Sequence, residues 1–183
     1  SYMWMFTKRR LYKINISTGG KSYWSNYGGD KFIMDSNEEN IYFTSYYQNS
    51  NTHYHRIYKF NISTSTFSLI AGDGNQTVGV TYGIGSAASF SWPSNLFLND
   101  DNTILYFHSI GAGNTGQYSA INLSTNEVTD AGFTNAPSGS DAGNNVVYDK
   151  GYLYINNRHH INYYNISTNT NNIILDKRTN PSG

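Results

Sequence analysis

The histidines of this sequence are the residues best suited to bind a metal or move a proton. His53 and His55 lie two positions apart, and His159 and His160 are adjacent. Imidazole pairs at short spacing are common zinc ligands. Adjacent side chains of a regular strand point to opposite faces, so His159 and His160 would not chelate one ion together without a kink in the strand. We therefore predict that these rings bond backbone atoms between structural units, and we predict no metal and no other cofactor.

Acidic residues cluster in two short segments, DSNEEN at 35–40 and NDDN at 99–102. The first segment starts with the oxygen ligands of a calcium loop. Its sixth position, however, is Asn40 instead of Gly, and its twelfth is Tyr46 instead of Glu. Asp and Asn side chains also accept hydrogen bonds within turns. We interpret both segments as turns of successive hairpins.

A Gly-x-Gly-x-x-Ala motif occurs at 83–88, a spacing that can cradle a phosphate group. A dinucleotide-binding turn of this kind needs a parallel strand before it and a helix after it. Phe90, Trp92 and Pro93 follow instead, and Pro93 is unfavourable inside a helix. We predict a connection between two repeated units. No Ser-His-Asp triad and no paired general acid and base can be assigned from the sequence.

The composition excludes several functional classes. The 12 basic and 12 acidic residues give a net charge of zero, so the basic character of a nucleic-acid-binding protein is absent. The absence of cysteine excludes disulfides, thiolate zinc sites and cysteine nucleophiles. No apolar run is long enough to span a membrane. Polarity comes from Asn, Ser, Thr and Tyr, which is typical of extracellular or cell-surface proteins, and we expect that location.

Internal repeats indicate the architecture that positions these residues. Apolar residues alternate within each repeated segment, which is the period of a strand. A second hairpin pattern precedes each of the last three copies, so one repeat contains four short strands, as a β-propeller blade does. Pro93, Pro137 and Pro181 recur at equal intervals, each before a Ser. The four copies are LYKINIST (11–18), IYKFNIST (57–64), YSAINLST (118–125) and NYYNIST (162–168).

The predicted fold is therefore all-β, a β-propeller of four-stranded antiparallel blades with about four blades visible. The first blade lacks its first strand and the sequence stops where a further blade would begin. We expect an incomplete ring from a longer protein, with a closed four-bladed ring and a ring completed by a homo-oligomer as alternatives. The predicted boundaries within the single domain 1–183 are partial blade 1 at 1–28, blade 2 at 29–72, a connecting loop at 73–92, blade 3 at 93–132 and blade 4 at 133–180.

Two segments carry a resemblance to the NHL-repeat propeller family. LIAGDG (69–74), followed by a glycine-rich loop, resembles the junction between blades in that family. The residue before the first glycine of the motif, usually acidic, is Tyr82 here. The motif positions that match are Gly83, Gly85, Ala88, Phe90 and Pro93, and a second family motif is matched by His55, Arg56, Ile57 and Lys59.

The resemblance implies a binding protein or an enzyme, since the family contains both. Propeller ligands usually bind over one end of the channel, where the loops between strands are least constrained by packing. Aromatic rings beside amides suit sugars and peptides. The predicted ligand-binding residues are Tyr46, Tyr47, His53, Tyr54, Trp92, Arg158 and His159.

We predict a non-enzymatic recognition or scaffold module that binds protein or glycan through this loop face. It would bind no nucleic acid, and its remaining blades would come from a longer chain or a homo-oligomeric partner. The alternatives are a propeller-type lyase or hydrolase with an axial metal, and an architectural subunit of a filament or assembly. Asn-x-Ser/Thr sequences give possible glycosylation sites at Asn15, Asn61, Asn75, Asn122 and Asn165.

Overall fold

The computed structural model describes residues 2–7, 10–25, 31–45, 48–49, 52–53, 55–74, 80–110, 116–134, 136–137, 146–156 and 160–176. These residues form strands and turns, and no helix occurs among them. The strands are β1 (Tyr2–Thr7), β2 (Arg10–Asn15), β3 (Lys21–Ser25), β4 (Phe32–Met34), β5 (Asn40–Ser45), β6 (Gln48–Asn49), β7 (Thr52–His53), β8 (Arg56–Asn61), β9 (Thr66–Ala71), β10 (Gly83–Ile84), β11 (Ser91–Leu98), β12 (Ile104–Ile110), β13 (Gly116–Asn122), β14 (Glu127–Asp130), β15 (Val146–Asp149), β16 (Tyr152–Asn156), β17 (His160–Asn165) and β18 (Thr170–Asp176).

The strands form four antiparallel sheets that follow one another along the chain. Blade 1 is β1-β2-β3, blade 2 is β4-β5-β8-β9, and blade 4 is β15-β16-β17-β18. Blade 3 is β11-β12-β13-β14, with β10 added as a fifth strand beside β14. A two-stranded hairpin, β6-β7, is inserted between β5 and β8 of blade 2. The four-strand repeat predicted from the sequence is thus confirmed in blades 2, 3 and 4.

Alternate side chains of one strand pack against different neighbouring blades. In β5, Ile41 and Phe43 join a buried cluster with blade 1, whereas Tyr42 between them joins a cluster with blade 3. In β11, Leu96 packs toward blade 2 and Phe97 toward blade 4. Because successive side chains of a strand point to opposite faces, a central blade contributes to two cores at once. Each fully buried Leu or Phe contributes roughly 1.5–3 kcal/mol through removal from water.

Three interfaces between blades result from this alternation. One contains Leu11 of blade 1 with Ile41, Phe43 and Phe60 of blade 2. The largest joins blade 2 to blade 3, and its buried members are Tyr42, Ile57, Ile70, Ala71, Ala88, Phe90, Leu96, Leu98, Leu105, Phe107, Ile121 and Val128. The third joins blade 3 to blade 4 through Phe97, Tyr118, Leu153, Ile155 and Tyr164.

The repeated Asn residues close the hairpin between the last two strands of each blade. In blade 3, Asn122 Oδ1 accepts hydrogen bonds from the Ser124 amide at 2.9 Å and the Ser124 hydroxyl at 2.7 Å. Equivalent side-chain turns form at Asn15, Asn61 and Asn165. The residue four positions after each Asn has a positive φ: Gly19, Ser65, Asn126 and Asn169. The repeated motif therefore has a local folding role.

The acidic segment at 35–40 is a turn, as predicted. Asp35 Oδ1 accepts hydrogen bonds from the backbone amides of Glu39 at 2.8 Å and Asn40 at 3.1 Å. In the corresponding turn of blade 3, Asn102 Nδ2 donates to Ser36 Oγ at 2.6 Å. The two turns therefore touch each other across the interface between blades 2 and 3.

The Gly-x-Gly motif connects blades 2 and 3, and the predicted connection is confirmed. The Gly72 amide donates to the Gly85 carbonyl at 3.1 Å, and the Gly85 amide donates to the Asn126 carbonyl at 2.9 Å. The segment therefore bonds both to the end of blade 2 and to the outer edge of blade 3. Two details differ from the predicted loop at 73–92, because it contains the strand β10 (Gly83–Ile84) and β11 already begins at Ser91.

The four sheets do not close into a complete ring, so one apolar face of blade 4 and one of blade 1 remain exposed within the described residues. On blade 4, Val147 pairs with Tyr154, and their side chains are 62% and 39% exposed. On blade 1, Met3 and Tyr23 are 50% and 51% exposed. These faces correspond to those that the inner blades bury against each other.

Candidate ligand site on the loop face

Two of the ligand-binding residues predicted from the sequence, His53 and Trp92, lie within the described residues. His53 lies in β7, within the loop between β5 and β8. Tyr46, Tyr47, Tyr54, Arg158 and His159 lie outside the described residues, as does the sequon residue Asn75. Trp92 is the one member of the set whose side chain is described, and it lies near the start of β11.

Trp92 and His55 hold blades 2 and 3 together. The Trp92 amide donates a hydrogen bond of 2.9 Å to His55 Nδ1, and the two rings meet edge to face at 5.3 Å. His55 is 1% exposed, whereas the Trp92 ring is 38% exposed. The predicted role of the His55 ring, bonding backbone between units, is therefore confirmed. Trp92 has φ of 53°, which turns the start of β11 toward this contact.

Arg56, the residue after His55, also stabilises the junction between blades 2 and 3. Arg56 donates a hydrogen bond of 3.0 Å to the Asp73 carbonyl. Gly72 and Gly74 pass close to this segment. A Cβ on Gly72 would lie 2.3 Å from the His55 carbonyl oxygen, and one on Gly74 would lie 2.7 Å from the Arg56 guanidinium. At Gly72 the His55 backbone leaves no room for a side chain, whereas at Gly74 the contact is with the end of the Arg56 side chain.

A cavity of about 230 Å³ opens where strands and a linker of blade 3 meet. Its walls come from the start of β13, the end of β14 and the segment that leads from blade 3 toward blade 4. The cavity lies at the end of blade 3 where the chain passes from β12 to β13. It is therefore on the loop face, where we predicted from the sequence that ligands bind. The lining residues are Gly116, Gln117, Tyr118, Asp130, Gly132, Phe133, Thr134 and Ala136.

Two side chains that line this cavity, Gln117 and Asp130, are joined through the Tyr82 hydroxyl. Gln117 Nε2 donates to the Tyr82 hydroxyl, which donates to Asp130 Oδ2 at 3.2 Å. Asp130 Oδ1 accepts from the Gly132 amide at 2.6 Å. Burial, reinforced by the Asp130 charge, raises the pKa of Tyr82, so the phenol stays protonated and keeps donating.

Aromatic rings form the inner side of the cavity. The Phe133 ring lies 5.7 Å from the Tyr118 ring and 5.2 Å from the Tyr106 ring. It also lies 5.7 Å from Tyr164 of blade 4, so the linker is fixed to the core at the interface of both blades. Offset and edge-on ring pairs at these distances are favourable, and they give the cavity a rigid apolar wall.

Behind the cavity, two buried polar side chains lie opposite each other in β12 and β13. His108 pairs with Tyr118 in the strand register, and their rings are 5.0 Å apart. They are 2% and 4% exposed, and neither His108 Nε2 nor the Tyr118 hydroxyl has a hydrogen-bond partner within the described structure. Burial lowers the pKa of His108 to about 4 and raises that of Tyr118, so both are neutral at pH 7.

Two further searches of the described residues concern metals and membranes. No group of three or more His, Cys, Asp or Glu side chains that could hold a metal ion occurs in the ranges that the structure describes. Over the same part of the chain, no helix is long and apolar enough to cross a membrane.

The comparisons with known proteins define the fold class. No family model matches the chain, and no curated protein matches it either. Solved structures of β-propeller proteins do match. An oligogalacturonate lyase in complex with manganese aligns with a TM-score of 0.60 and 12% identity, over 91% of this chain and 42% of that one. TolB from Acinetobacter baumannii aligns with a TM-score of 0.60 and 17% identity, over 96% of this chain and 40% of that one.

A third match is to a nidogen/laminin complex, with a TM-score of 0.56 and 11% identity, over 93% of this chain and 56% of that one. These similarities and the four antiparallel sheets show that the chain has a β-propeller fold. The chain spans between 40% and 56% of the length of these three structures. At such low identity the similarity concerns the fold alone, and the NHL-repeat resemblance remains a resemblance.

Sequence reasoning identified neither the residues that line the cavity nor the tyrosine that joins two of them. Tyr82, Gln117 and Asp130 come from three separate segments, and they meet only because β10 folds back along the outer edge of blade 3. The departure from the NHL pattern at Tyr82 is the one sequence signal that marked this position. Phe133 lies in a segment without strand periodicity, so nothing in the sequence showed that it packs into the core.

Proposed function

We propose that the protein is a recognition module that binds its ligand on the loop face of the propeller, at the cavity lined by Gln117, Asp130 and Phe133. The observation that carries this proposal is the combination of a rigid aromatic wall with polar side chains whose orientation is fixed by hydrogen bonds. Sites of this composition bind small or terminal groups of larger molecules by shape and directional hydrogen bonds.

An extracellular or cell-surface location is part of the proposal. The hydroxyl- and amide-rich composition supports it, as does the similarity in fold to a structure of a nidogen/laminin complex. The partner is accordingly a protein or a glycan outside the cell. The polar loop segments, which packing constrains least, are the part of the molecule where such specificity can be encoded.

The absence of native cysteine allows a direct test of the loop face. A bulky maleimide attached to Gln117→Cys would block the cavity, whereas the same label on Ser124→Cys would lie in a turn at the opposite end of blade 3. Both labelled proteins and the unlabelled chain are applied to an array of immobilised glycans and to immobilised laminin.

Loss of binding after labelling at position 117, with binding kept after labelling at position 124, is the expected result. Equal binding by both labelled proteins would contradict the loop-face assignment. Release of unsaturated sugars from polygalacturonate in the presence of manganese would favour the alternative, a propeller-type lyase.

We also propose that further blades of the same kind cover the open faces of blades 1 and 4. Val147 and Tyr154 on blade 4 occupy positions whose counterparts in the inner blades are buried between sheets. The solved propellers that this chain resembles are about twice as long, which favours additional blades from a longer chain. A second copy, and an open assembly of copies in which the protein acts as an architectural subunit, are the other arrangements that would cover these faces.

A further inference from the structure

We infer that the cavity of blade 3 binds one neutral, hydroxyl-rich ring, that is, a single saccharide residue. This inference rests on the proposed loop-face function and specifies its ligand class. It is supported by the size of the cavity, its hydrogen-bonding groups, its aromatic wall and a buried hydroxyl without a partner.

The volume of the cavity limits the ligand to one ring. At about 230 Å³ it lies below the roughly 300–1,000 Å³ that is usual for pockets holding drug-sized molecules. It holds about eight times the volume of one liquid water molecule. A saccharide residue at the end or branch of a chain therefore fits, with the rest of the chain remaining in solvent.

The hydrogen-bonding groups of the wall suit alcohol groups. Both Asp130 oxygens accept one hydrogen bond from the protein, and an ionised carboxylate has about four acceptor sites, so two remain for the ligand. Gln117 uses its amide nitrogen to bond Tyr82, which leaves its carbonyl oxygen as an acceptor, and the Thr134 hydroxyl can donate or accept. A sugar hydroxyl can both donate and accept a hydrogen bond, so it can pair with each of these groups.

The charge of the wall disfavours ionic ligands. Asp130 is the one charged side chain among the described residues that line the cavity, so none of them supplies a cation to pair with an acidic sugar or a phosphate. Asp130 is also solvent-exposed, and a hydrated carboxylate attracts an ammonium group only weakly. A neutral ligand needs no counter-charge and avoids the cost of desolvating a charge.

The inner wall supplies an apolar surface and one unsatisfied polar atom. The half-buried Phe133 ring can pack against the C–H face of a sugar ring, and the buried Tyr118 ring supports it from behind. Tyr118 is 4% exposed, and its hydroxyl makes no hydrogen bond within the described structure. A buried hydroxyl without a partner is unfavourable, so a ligand hydroxyl or a bridging water that reaches it gains more than the same bond would at the surface.

The test uses amide chemical shifts of the full chain, recorded with glucose, galactose, mannose, N-acetylglucosamine and fucose at millimolar concentrations. Galacturonate serves as the charged sugar and short glycine- and tyrosine-containing peptides serve as the protein-like probe. The inference predicts that at least one neutral sugar shifts the amides of Gly116, Gln117 and Gly132, and that galacturonate does not. Asp130→Asn should weaken that binding about tenfold, because a charge-assisted acceptor is lost.

Asp149→Asn is the matched control, since Asp149 is also exposed but lies at the end of β15 in blade 4, away from the cavity. It should leave sugar binding unchanged. Shifts at the cavity with peptides and not with sugars would overturn the saccharide assignment while leaving the loop-face function intact. Sugar-induced shifts elsewhere on the molecule, or none with any neutral sugar, would also overturn it. The labelling experiment at Gln117 then decides independently whether the loop face binds at all.

Discussion

At the residue scale, the junction between blades 2 and 3 depends on two glycines and a histidine. The His55 ring accepts a hydrogen bond from the Trp92 amide. Gly72 lies so close to the His55 backbone that position 72 has no room for a side chain. The positive φ of Gly72, 102°, adds a second reason for glycine, because residues with a side chain rarely adopt it. The His-Arg pair recognised in the sequence is thus a structural connector.

Gly72→Ala should destabilise the fold far more than Gly151→Ala. Both glycines have positive φ, of 102° and 83°, but a Cβ on Gly151 would meet nothing within 4 Å. Backbone strain alone costs about 1 kcal/mol, and steric overlap adds about 1–3 kcal/mol at Gly72. Urea unfolding of the two variants measures the difference. Equal losses of unfolding free energy in the two variants would contradict the close contact between position 72 and the His55 backbone.

His108 should make the stability of the protein depend on pH. Its pKa is about 4 in the folded protein and about 6.5 when unfolded, so between these values the unfolded chain binds the extra proton. The contribution of His108 to the free energy of unfolding is therefore fully present above about pH 6.5. It falls by about 3 kcal/mol as the pH approaches 4. His108→Gln should remove this part of the pH dependence. An unchanged pH profile in the variant would contradict the buried, neutral state of His108.

At the element scale, the unit of the fold is the hairpin closed by an Asn side chain. In each blade the Asn oxygen accepts a hydrogen bond from the backbone amide three positions later, and in blades 1, 3 and 4 also from the amide two positions later. A residue with positive φ follows. This arrangement satisfies the turn amides locally and fixes the register of the third and fourth strands. It also explains why the Asn-x-Ser-Thr sequence recurs without reference to glycosylation.

Asn122→Ala should destabilise blade 3 by about 1–2 kcal/mol, because the amides of Ser124 and Thr125 lose their acceptor. Asn122→Asp keeps a side-chain oxygen in the same place and should be close to neutral, although it also destroys the glycosylation sequence. Thermal unfolding of the two variants compares them directly. If Asn122→Asp were as destabilising as Asn122→Ala, the side-chain acceptor would not be what stabilises the turn.

The strands could be predicted from the sequence because the signals are local. The alternation in segments such as IYKFNIST gives β8, and turn residues separate β4 from β5 and β11 from β12. The strand β10 could not be predicted, since Gly83–Ile84 has no alternation and becomes a strand only by pairing with β14. The cavity is equally non-local, because Tyr82 and Asp130 meet through that pairing.

At the scale of the whole molecule, the stack of blades leaves two sheet faces in water. Exposed apolar side chains on blade 4, such as Val147 and Leu175, are 62% and 43% exposed. Contiguous apolar surface of this kind usually marks an interface or promotes aggregation. The 183-residue chain on its own is therefore expected to self-associate.

Light scattering coupled to size-exclusion chromatography should show this association increasing with concentration. Val147→Lys combined with Tyr154→Lys should shift the chain toward the monomer, because charge opposes burial of the face. The control, Thr129→Lys, changes an exposed residue of blade 3 and should have no effect. A monomeric wild-type chain that binds no apolar dye would contradict the exposure of these faces.

The central claim is that successive sheets stack with the turns of neighbouring blades in contact, and disulfide trapping tests it most directly. Ser36 and Asn102 belong to different blades, are bonded at 2.6 Å, and lie in a chain without cysteine. Ser36→Cys combined with Asn102→Cys should oxidise almost completely to an intramolecular disulfide in the native protein. Ser36→Cys combined with Thr168→Cys, placed two blades apart, should remain reduced. Failure of the first pair to cross-link in folded protein, or equal cross-linking of both pairs, would contradict the stacked-blade arrangement.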